Sequence, residues 1–319
     1  MEKPINEFKP LISICIPAYK REHYLEILLQ SISKQSFKDF EVIVSDDSPD
    51  DSIRVLCEQY QHIFPLRYYK NILPLGTPEN WNESIRKATG KWIKLMHDDD
   101  WFASPESLQQ FAEAAKNEVD SNFIFSGYRN VHENYKTTVR AGSFRLKALI
   151  KNPVSLLSKN CIGPPSVVLH RNDHKLYYDA QLKWLVDIDF YIGYLKTTTP
   201  LYLDEVLINI GINEHQVTNQ SSLVREIEIP EAFHILSKTG KEQLKNILAY
   251  DAWWRLFRNL KITKISDIRA SGYMGEVPEA LMKMLAFQSK IPKRVLTTGI
   301  FSKILMASSF MKSYRLDER

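Results

Sequence analysis

Residues 91–102 read Lys-Trp-Ile-Lys-Leu-Met-His-Asp-Asp-Asp-Trp-Phe. A mostly apolar run ends abruptly in three adjacent carboxylates, Asp98, Asp99 and Asp100. Repulsion between neighbouring acids is modest in water and grows in a cleft, where the effective dielectric falls. A hard divalent ion bound through oxygen removes it. The stretch therefore reads as a buried strand that delivers acids to a metal-assisted phosphate or sugar-nucleotide site.

The surrounding pattern supports a strand at 92–96. Residues 11–16 form another run that is apolar but for Ser13, the mark of a strand buried on both faces. Tyr24, Leu25, Leu28, Leu29 and Ile32 then recur at helical spacing. A second buried strand over 40–44 ends in Ser45-Asp46-Asp47, followed by a helix over 50–60 and a shorter strand over 66–69. Residues 77–88 read as a helix with Thr77 as N-cap and Pro78 at its first position. A helix over 104–116, capped by Ser104, precedes a strand at 122–126. Further on, 166–170 reads as a strand, 184–196 as a helix carrying Asp187 and Asp189, and 201–212 as extended. The segments 221–238, 241–260, 276–288 and 292–313 read as helices.

This order predicts an α/β fold with a mostly parallel sheet flanked by helices and right-handed crossovers. It divides the chain into a domain over 1–220 and a helical C-terminal extension over 221–319. Ligands of such sheets bind beyond the carboxyl ends of the strands. Both acid clusters, Asp46 with Asp47 and 98–100, fall at such ends.

Composition narrows the classes. With 319 residues and 44% hydrophobic content, the chain can bury a substantial core. Its net charge of +4 is too small to argue for nucleic acid. Cys15, Cys57 and Cys161 lie far apart without a CxxC pair, which suits a reducing compartment rather than a disulfide framework or zinc site. The first residues are polar and acidic, unlike a signal peptide, and no apolar run reaches the 18 residues of a membrane span.

Several motifs together resemble family 2 of the inverting glycosyltransferases, with its GT-A type nucleotide-diphospho-sugar fold. The likeness runs over roughly residues 10–220. Ile16-Pro17-Ala18-Tyr19-Lys20-Arg21 is similar to the family's Pro-x-Tyr-Asn-Arg element, with Lys20 in place of Asn. Residues 35–42, from Gln35-Ser36-Phe37, resemble the link into the second strand, and Asp46-Asp47-Ser48 the Asp-Asp-x-Ser turn. Gly76, Asn82 and the run 88–93 resemble the approach to the metal motif.

The resemblance implies roles. Asp47 would bind the nucleobase, with Pro17 and Tyr19 shaping its pocket; capping of the helix near Pro49 is the structural alternative for Asp46 and Asp47. The family's Asp-x-Asp motif falls on His97-Asp98-Asp99, which puts Asp98 at the ribose or metal and makes Asp99 the main ligand of Mg²⁺ or Mn²⁺. The register Asp98-Asp99-Asp100 is equally open. Asp187 matches the catalytic base, with Val186 where a Glu is usual. His215, in a segment resembling Tyr-Arg-x-His, would contact metal or diphosphate, with a structural histidine as the alternative. Trp184 is either an acceptor-stacking or a core aromatic, and the prolines of 161–166 suit an acceptor-side loop or a rigid turn.

The implied function is transfer of a sugar, of hexosyltransferase type, from a nucleoside-diphosphate sugar to a hydroxyl of a glycan acceptor. The expected acceptor is lipid-linked, the expected setting cytoplasmic and in cell-surface polysaccharide biosynthesis, such as O-antigen or capsule. A sugar nucleotidyltransferase would need a Gly-rich basic signature that residues 14–21 lack. A non-catalytic glycan-binding or scaffold protein is left open by His97 and Val186. The segment 291–316 has no acid but carries Lys293, Arg294, Lys303, Lys312 and Arg315 beside Ile300, Phe301, Ile304, Leu305, Met306 and Phe310. Such a helix either lies on an anionic membrane, here the inner face of the plasma membrane, or packs on the protein with its charges solvated.

Overall fold

The apolar runs become the strands of one sheet in a computed structural model that describes residues 9–117, 121–212 and 223–315. Strands β1 (Ile12–Ala18) and β2 (Phe40–Asp46) are buried along their whole length. β1 pairs in parallel with β2 and with β4 (Trp92–Leu95), and β2 pairs in parallel with β3 (Leu66–Lys70). Helices α1 (Glu22–Ser33), α2 (Ser52–Tyr60) and α3 (Glu79–Arg86) supply the crossovers. These four strands form the parallel half that the sequence pattern predicts.

Beyond β4 the sheet is mixed. Its other strands are β5 (Asp100–Phe102), β6 (Phe123–Val131), β7 (Lys136–Val139), β8 (Val168–Arg171) and β9 (Leu201–Gly211). β8 inserts antiparallel between β4 and β6, while β9 runs parallel to β6 and carries β5 on its far side. The order is β3-β2-β1-β4-β8-β6-β9-β5, with β7 paired to β6. β5 has no sequence signature, because its strand character comes from pairing with residues 208–210 of β9. β6 extends past the predicted 126 because its outer half is held between β7 and β9.

The motif residues explain local geometry. Gln35 spans a corner: its amide donates to the carbonyl of Ser104 at 2.9 Å and accepts from Leu108 N–H at 2.9 Å. It thereby supports the start of α4 (Ser107–Asn117), three residues later than predicted. Asn82 pairs both sides of its amide with the backbone of Tyr178, at 2.8 Å each. Thr77 does not cap α3. Pro78 holds that position without a side-chain cap, and the turn is made by Gly76, whose φ of 71° suits glycine.

The chain forms two compact units. One, with the sheet, comprises Met1–Leu146, Cys161–Gln181 and Gly193–Glu214; the other takes Lys147–Asn160, Leu182–Ile192 and His215–Arg319. Helix α5 (Ser143–Lys151) and helix α6 (Val186–Tyr194) each run from one unit's segment into the other's. The expected boundary at residue 220 lies outside the described residues. The second unit contains α7 (Arg225–Thr239), α8 (Ile247–Asn259), α9 (Ile265–Ala270), α10 (Glu279–Gln288), α11 (Lys293–Thr297) and α12 (Gly299–Arg315). Its core is aromatic-rich, with Phe233, Tyr250, Trp253, Trp254 and Phe257 buried against Leu281 and Met284. Each such side chain contributes about 1.5–3 kcal/mol on leaving water.

One polar network sets the approach to β4. Ser13 Oγ donates to Glu41 at 2.6 Å and accepts from Gly90 N–H at 2.8 Å, while Thr89 donates to Glu41 through N–H and hydroxyl at 2.7 and 2.8 Å. Gly90 lies so close to β1 that a Cβ there would stand 2.7 Å from both N and Oγ of Ser13. Gly90→Ala should destabilise the protein by about 2 kcal/mol through overpacking. Urea unfolding would show a lower midpoint at unchanged slope; an unmoved midpoint would refute the constraint.

Candidate functional site

β1 lies between β2 and β4, the point where the order of parallel strands reverses. The carboxyl ends of these strands bring together Pro17 and Tyr19, Asp46 and Asp47, and residues 97–100. Pro17 is tolerated in a central strand because the β4 ladder has already ended at Leu95, opposite Cys15.

Asp98, Asp99 and Asp100 are all buried. Arg21, at the start of α1, binds two of them. Its Nη2 and Nε stand 2.6 and 3.2 Å from the Asp98 carboxylate, and its Nη1 stands 3.0 Å from Asp99. The backbone N–H of Tyr19 also donates to Asp98. Burial pushes the Asp98 carboxyl up to about 7 despite the guanidinium. Asp100 lies well above the carboxylate range, through burial first and Asp99 second. Its carboxylate accepts from Gly211 N–H at 3.2 Å.

A different trio converges on one point. Ligand atoms of His97, Asp99 and Asp100 lie within 4.8 Å of one another. Burial pushes the His97 imidazole down to about 4, so it is neutral and able to donate a lone pair. His97 Nε2 is buried without a hydrogen-bond partner among the described residues. Ser166 supports the trio, accepting from His97 N–H at 3.0 Å and bonding the Asp100 carboxylate. Two oxygens and one neutral nitrogen suit Mg²⁺ or Mn²⁺. The sequence registers pair Asp98 with Asp99 or with Asp100; the converging trio contains Asp99 and Asp100, and Arg21 holds both Asp98 and Asp99. His215 lies outside the described residues.

Asp47 has a demanding partner set. Oδ1 accepts from Asn71 Nδ2 at 2.8 Å and Leu75 N–H at 3.0 Å, and Oδ2 from Gly76 N–H at 2.8 Å. Asp46 accepts from Tyr68 Oη at 2.7 Å, Lys70 Nζ at 3.0 Å and Ser48 N–H at 2.8 Å. Neither acid caps α2, whose N-cap is Asp51. Tyr19 is half exposed, with Lys20 Nζ 4.9 Å from its ring centroid. Lys20 takes a left-handed φ of 61°, which Asn adopts more readily. The Asn expected from the resemblance thus has a backbone reason.

In the second unit, Asp187 occupies the first turn of α6. Its carboxylate accepts from Ile188 N–H at 2.8 Å and Asn160 Nδ2 at 2.9 Å. Burial pushes it up to about 6. The N–H groups entering this helix are taken by Glu231, which accepts from Lys183, Trp184 and Leu185 at 2.7, 3.0 and 2.8 Å. Glu231 and Asp187 thus both place a carboxylate at the N-terminal end of this helix. Asp189 forms an ion pair with Lys238. The ring of Trp184 is half-buried.

Sequence reasoning missed Arg21, Ser166, Asn160, Glu231 and Gly211. A Cβ on Gly211 would stand 2.3 Å from the Asp99 carbonyl oxygen. Only Arg21 carried a signal, its place in the motif four residues after Pro17. The others act across more than twenty residues of chain, where no spacing rule applies.

The sequence profile described as "Glycosyl transferase family 2" matches residues 13–175. The structure resembles S. aureus TarS in complex with UDP-GlcNAc, with a TM-score of 0.61 and 19% identity over 95% of this chain and 89% of that one. It also resembles the mannosyltransferase PcManGT of Pyrobaculum calidifontis, solved with GDP-Man and Mn²⁺, with a TM-score of 0.55 and 15% identity over 99% and 90%. At these identities the likeness speaks for the fold alone. A curated Escherichia coli relative, UDP-Glc:alpha-D-GlcNAc-diphosphoundecaprenol beta-1,3-glucosyltransferase, is 27% identical over 50% of this chain and 60% of its own. The matched share of these relatives' own length is 29% for the abequosyltransferase RfbV of Salmonella typhimurium, 38% for an uncharacterized Haemophilus influenzae glycosyltransferase and 80% for one of Methanocaldococcus jannaschii.

Arg21→Gln should leave Asp98 buried without a full counter-charge. The expected loss is about 2 kcal/mol, reduced from the usual figure for a buried pair because Arg21 is partly exposed. Calorimetric unfolding at neutral pH would show the lower melting temperature, and acidification should narrow the gap by protonating Asp98. A gap that is constant with pH would exclude the charge explanation.

Proposed function

The chain belongs to glycosyl transferase family 2 and has its GT-A type fold, and on that premise we propose that it transfers a sugar from a nucleoside-diphosphate sugar to a glycan hydroxyl with inversion. The observation that carries this reading is the convergence of His97, Asp99 and Asp100 beside the strand-order reversal. These residues, with His215 by resemblance, would hold Mg²⁺ or Mn²⁺. When bound, such an ion neutralises the diphosphate as it departs. The Mn²⁺ in the mannosyltransferase structure lends support to this assignment.

The chain's own residues divide the remaining work. Pro17 and the flat face of Tyr19 shape the base pocket. Asp47 reads the base by ordering the 71–76 loop as well as through its own oxygens. Asp98 orients Arg21 and the Tyr19 backbone beside the ribose. Asp187 accepts the proton of the attacking hydroxyl, its basicity raised by burial while Asn160 fixes its orientation. Attack from the face opposite the leaving diphosphate inverts the anomeric centre. Trp184 offers an aromatic face to the acceptor sugar. A lipid-linked acceptor, in cytoplasmic assembly of a cell-surface polysaccharide, is suggested by the diphosphoundecaprenol-linked substrate for which the E. coli relative is named.

Thermal shift with nucleoside diphosphates, their sugars and Mn²⁺ tests the donor side, since ligand binding raises the melting temperature by mass action. A rise with one sugar nucleotide, lost in Asp99→Asn and Asp100→Asn, is the expected result; full retention in both variants would overturn the metal assignment. Asp187→Asn should retain that shift and lower the turnover by about 10²–10⁴-fold.

The pH profile checks the base. A carboxyl raised to about 6 is protonated below that value and inactive as a base. The logarithm of kcat/KM should therefore climb with unit slope as pH rises towards about 6 and then level. A profile already level well below that pH would remove Asp187 from the role.

A further inference from the structure

Helix α12 packs Met306, Leu305 and Phe310 on the core and yet exposes a second set of large apolar side chains. At about 100° per residue, Ile300, Ile304 and Met311 fall within an arc of about 40°, with Phe301 beside it. These side chains are 77%, 57%, 42% and 59% exposed. The opposite face, which is buried, presents Ser302, Met306, Ser309 and Ser313. Its hydroxyls are bonded inward: Ser302 accepts from Trp254 Nε1 at 3.0 Å and Arg258 Nη1 at 3.1 Å, while Tyr250 Oη lies 2.8 Å from Ser309 Oγ and 3.2 Å from Ser313 Oγ. Rolling the helix to hide Ile300 and Phe301 would break these buried bonds and strand their partners. The outward apolar stripe is thus locked in place by the core.

Charge selects what covers the stripe. Residues 280–316 contain seven Lys or Arg and no Asp or Glu. Lys303 and Lys312 flank the stripe on its two sides, and Lys293 and Arg294 of α11 are also exposed. A second copy meeting this face across a two-fold axis would set cations against cations. No helix among the described residues is long and apolar enough to cross a membrane.

We propose that α11 and α12 form a membrane-docking face that lies in the headgroup boundary of an anionic bilayer. Ile300, Phe301, Ile304 and Met311 enter the acyl edge, while the flanking lysines meet lipid phosphates. The face is independent of the transfer chemistry and is tested without donor or acceptor.

Co-sedimentation of the full chain with vesicles of equal parts phosphatidylglycerol and phosphatidylcholine, against phosphatidylcholine alone, reads the binding directly. Binding is expected only to the anionic vesicles and should weaken as salt rises. Phe301→Ser with Ile304→Ser should lower the partition coefficient at least about tenfold at unchanged melting temperature. Lys303→Gln with Lys312→Gln should lower it about tenfold. Failure of the wild-type chain to bind, undiminished binding by the serine variant, or a lipid-free dimer that this variant abolishes would each overturn the proposal. Sugar transfer to a soluble acceptor, assayed in parallel, separates this outcome from failure of the catalytic reading.

Discussion

Three carboxylates buried side by side at the end of β4 carry a repulsion that the rest of the fold must offset. Arg21 does this for Asp98 and Asp99, reaching across from the start of α1. On the far side of the cluster, His97 and Asp100 face Asp99 in an arrangement that could hold a further cation. The guanidinium explains how the acids persist in a single geometry: it neutralises part of the charge while a neutral imidazole adds none. The site is therefore organised by its own side chains before any ligand arrives, which lowers the cost of ordering on binding.

The same economy of charge recurs around the centre. Lys94 is fully buried in β4, bonded to the carbonyls of Ser166 and Val168 and facing Phe111, and burial drives its ammonium well below its usual range. Its backbone partners lie in the segment that also bonds His97 and Asp100, so one buried amine steadies the loop beneath the acids. In the second unit, Glu231 satisfies the N–H groups at the head of α6. Asp187, which accepts from Ile188 N–H and Asn160 Nδ2, has its carboxyl raised by burial.

The inward hydroxyls of α12 apply the same logic to a surface. Buried polar atoms must be bonded, and meeting that demand with Trp254 and Tyr250 dictates which face remains for the large apolar side chains. The helix packs Met306, Leu305 and Phe310 inward beside these serines and still leaves Ile300 and Ile304 exposed.

Much of the frame was legible in the chain. Mostly apolar runs at 11–16, 40–44 and 92–96 identified β1, β2 and β4, and the acid clusters next to them had to emerge at the strand ends, because a strand cannot bury unpaired carboxylates midway. Motif likeness carried the family. The remainder depended on chain path. That Asp98 meets Arg21, that Asp100 joins His97, that Asp47 holds the 71–76 loop, and that α12 faces outward with Ile300 could not be read from spacing. Periodicity reports which side chains avoid water; which donor finds which acceptor is decided only when segments distant in sequence are packed together.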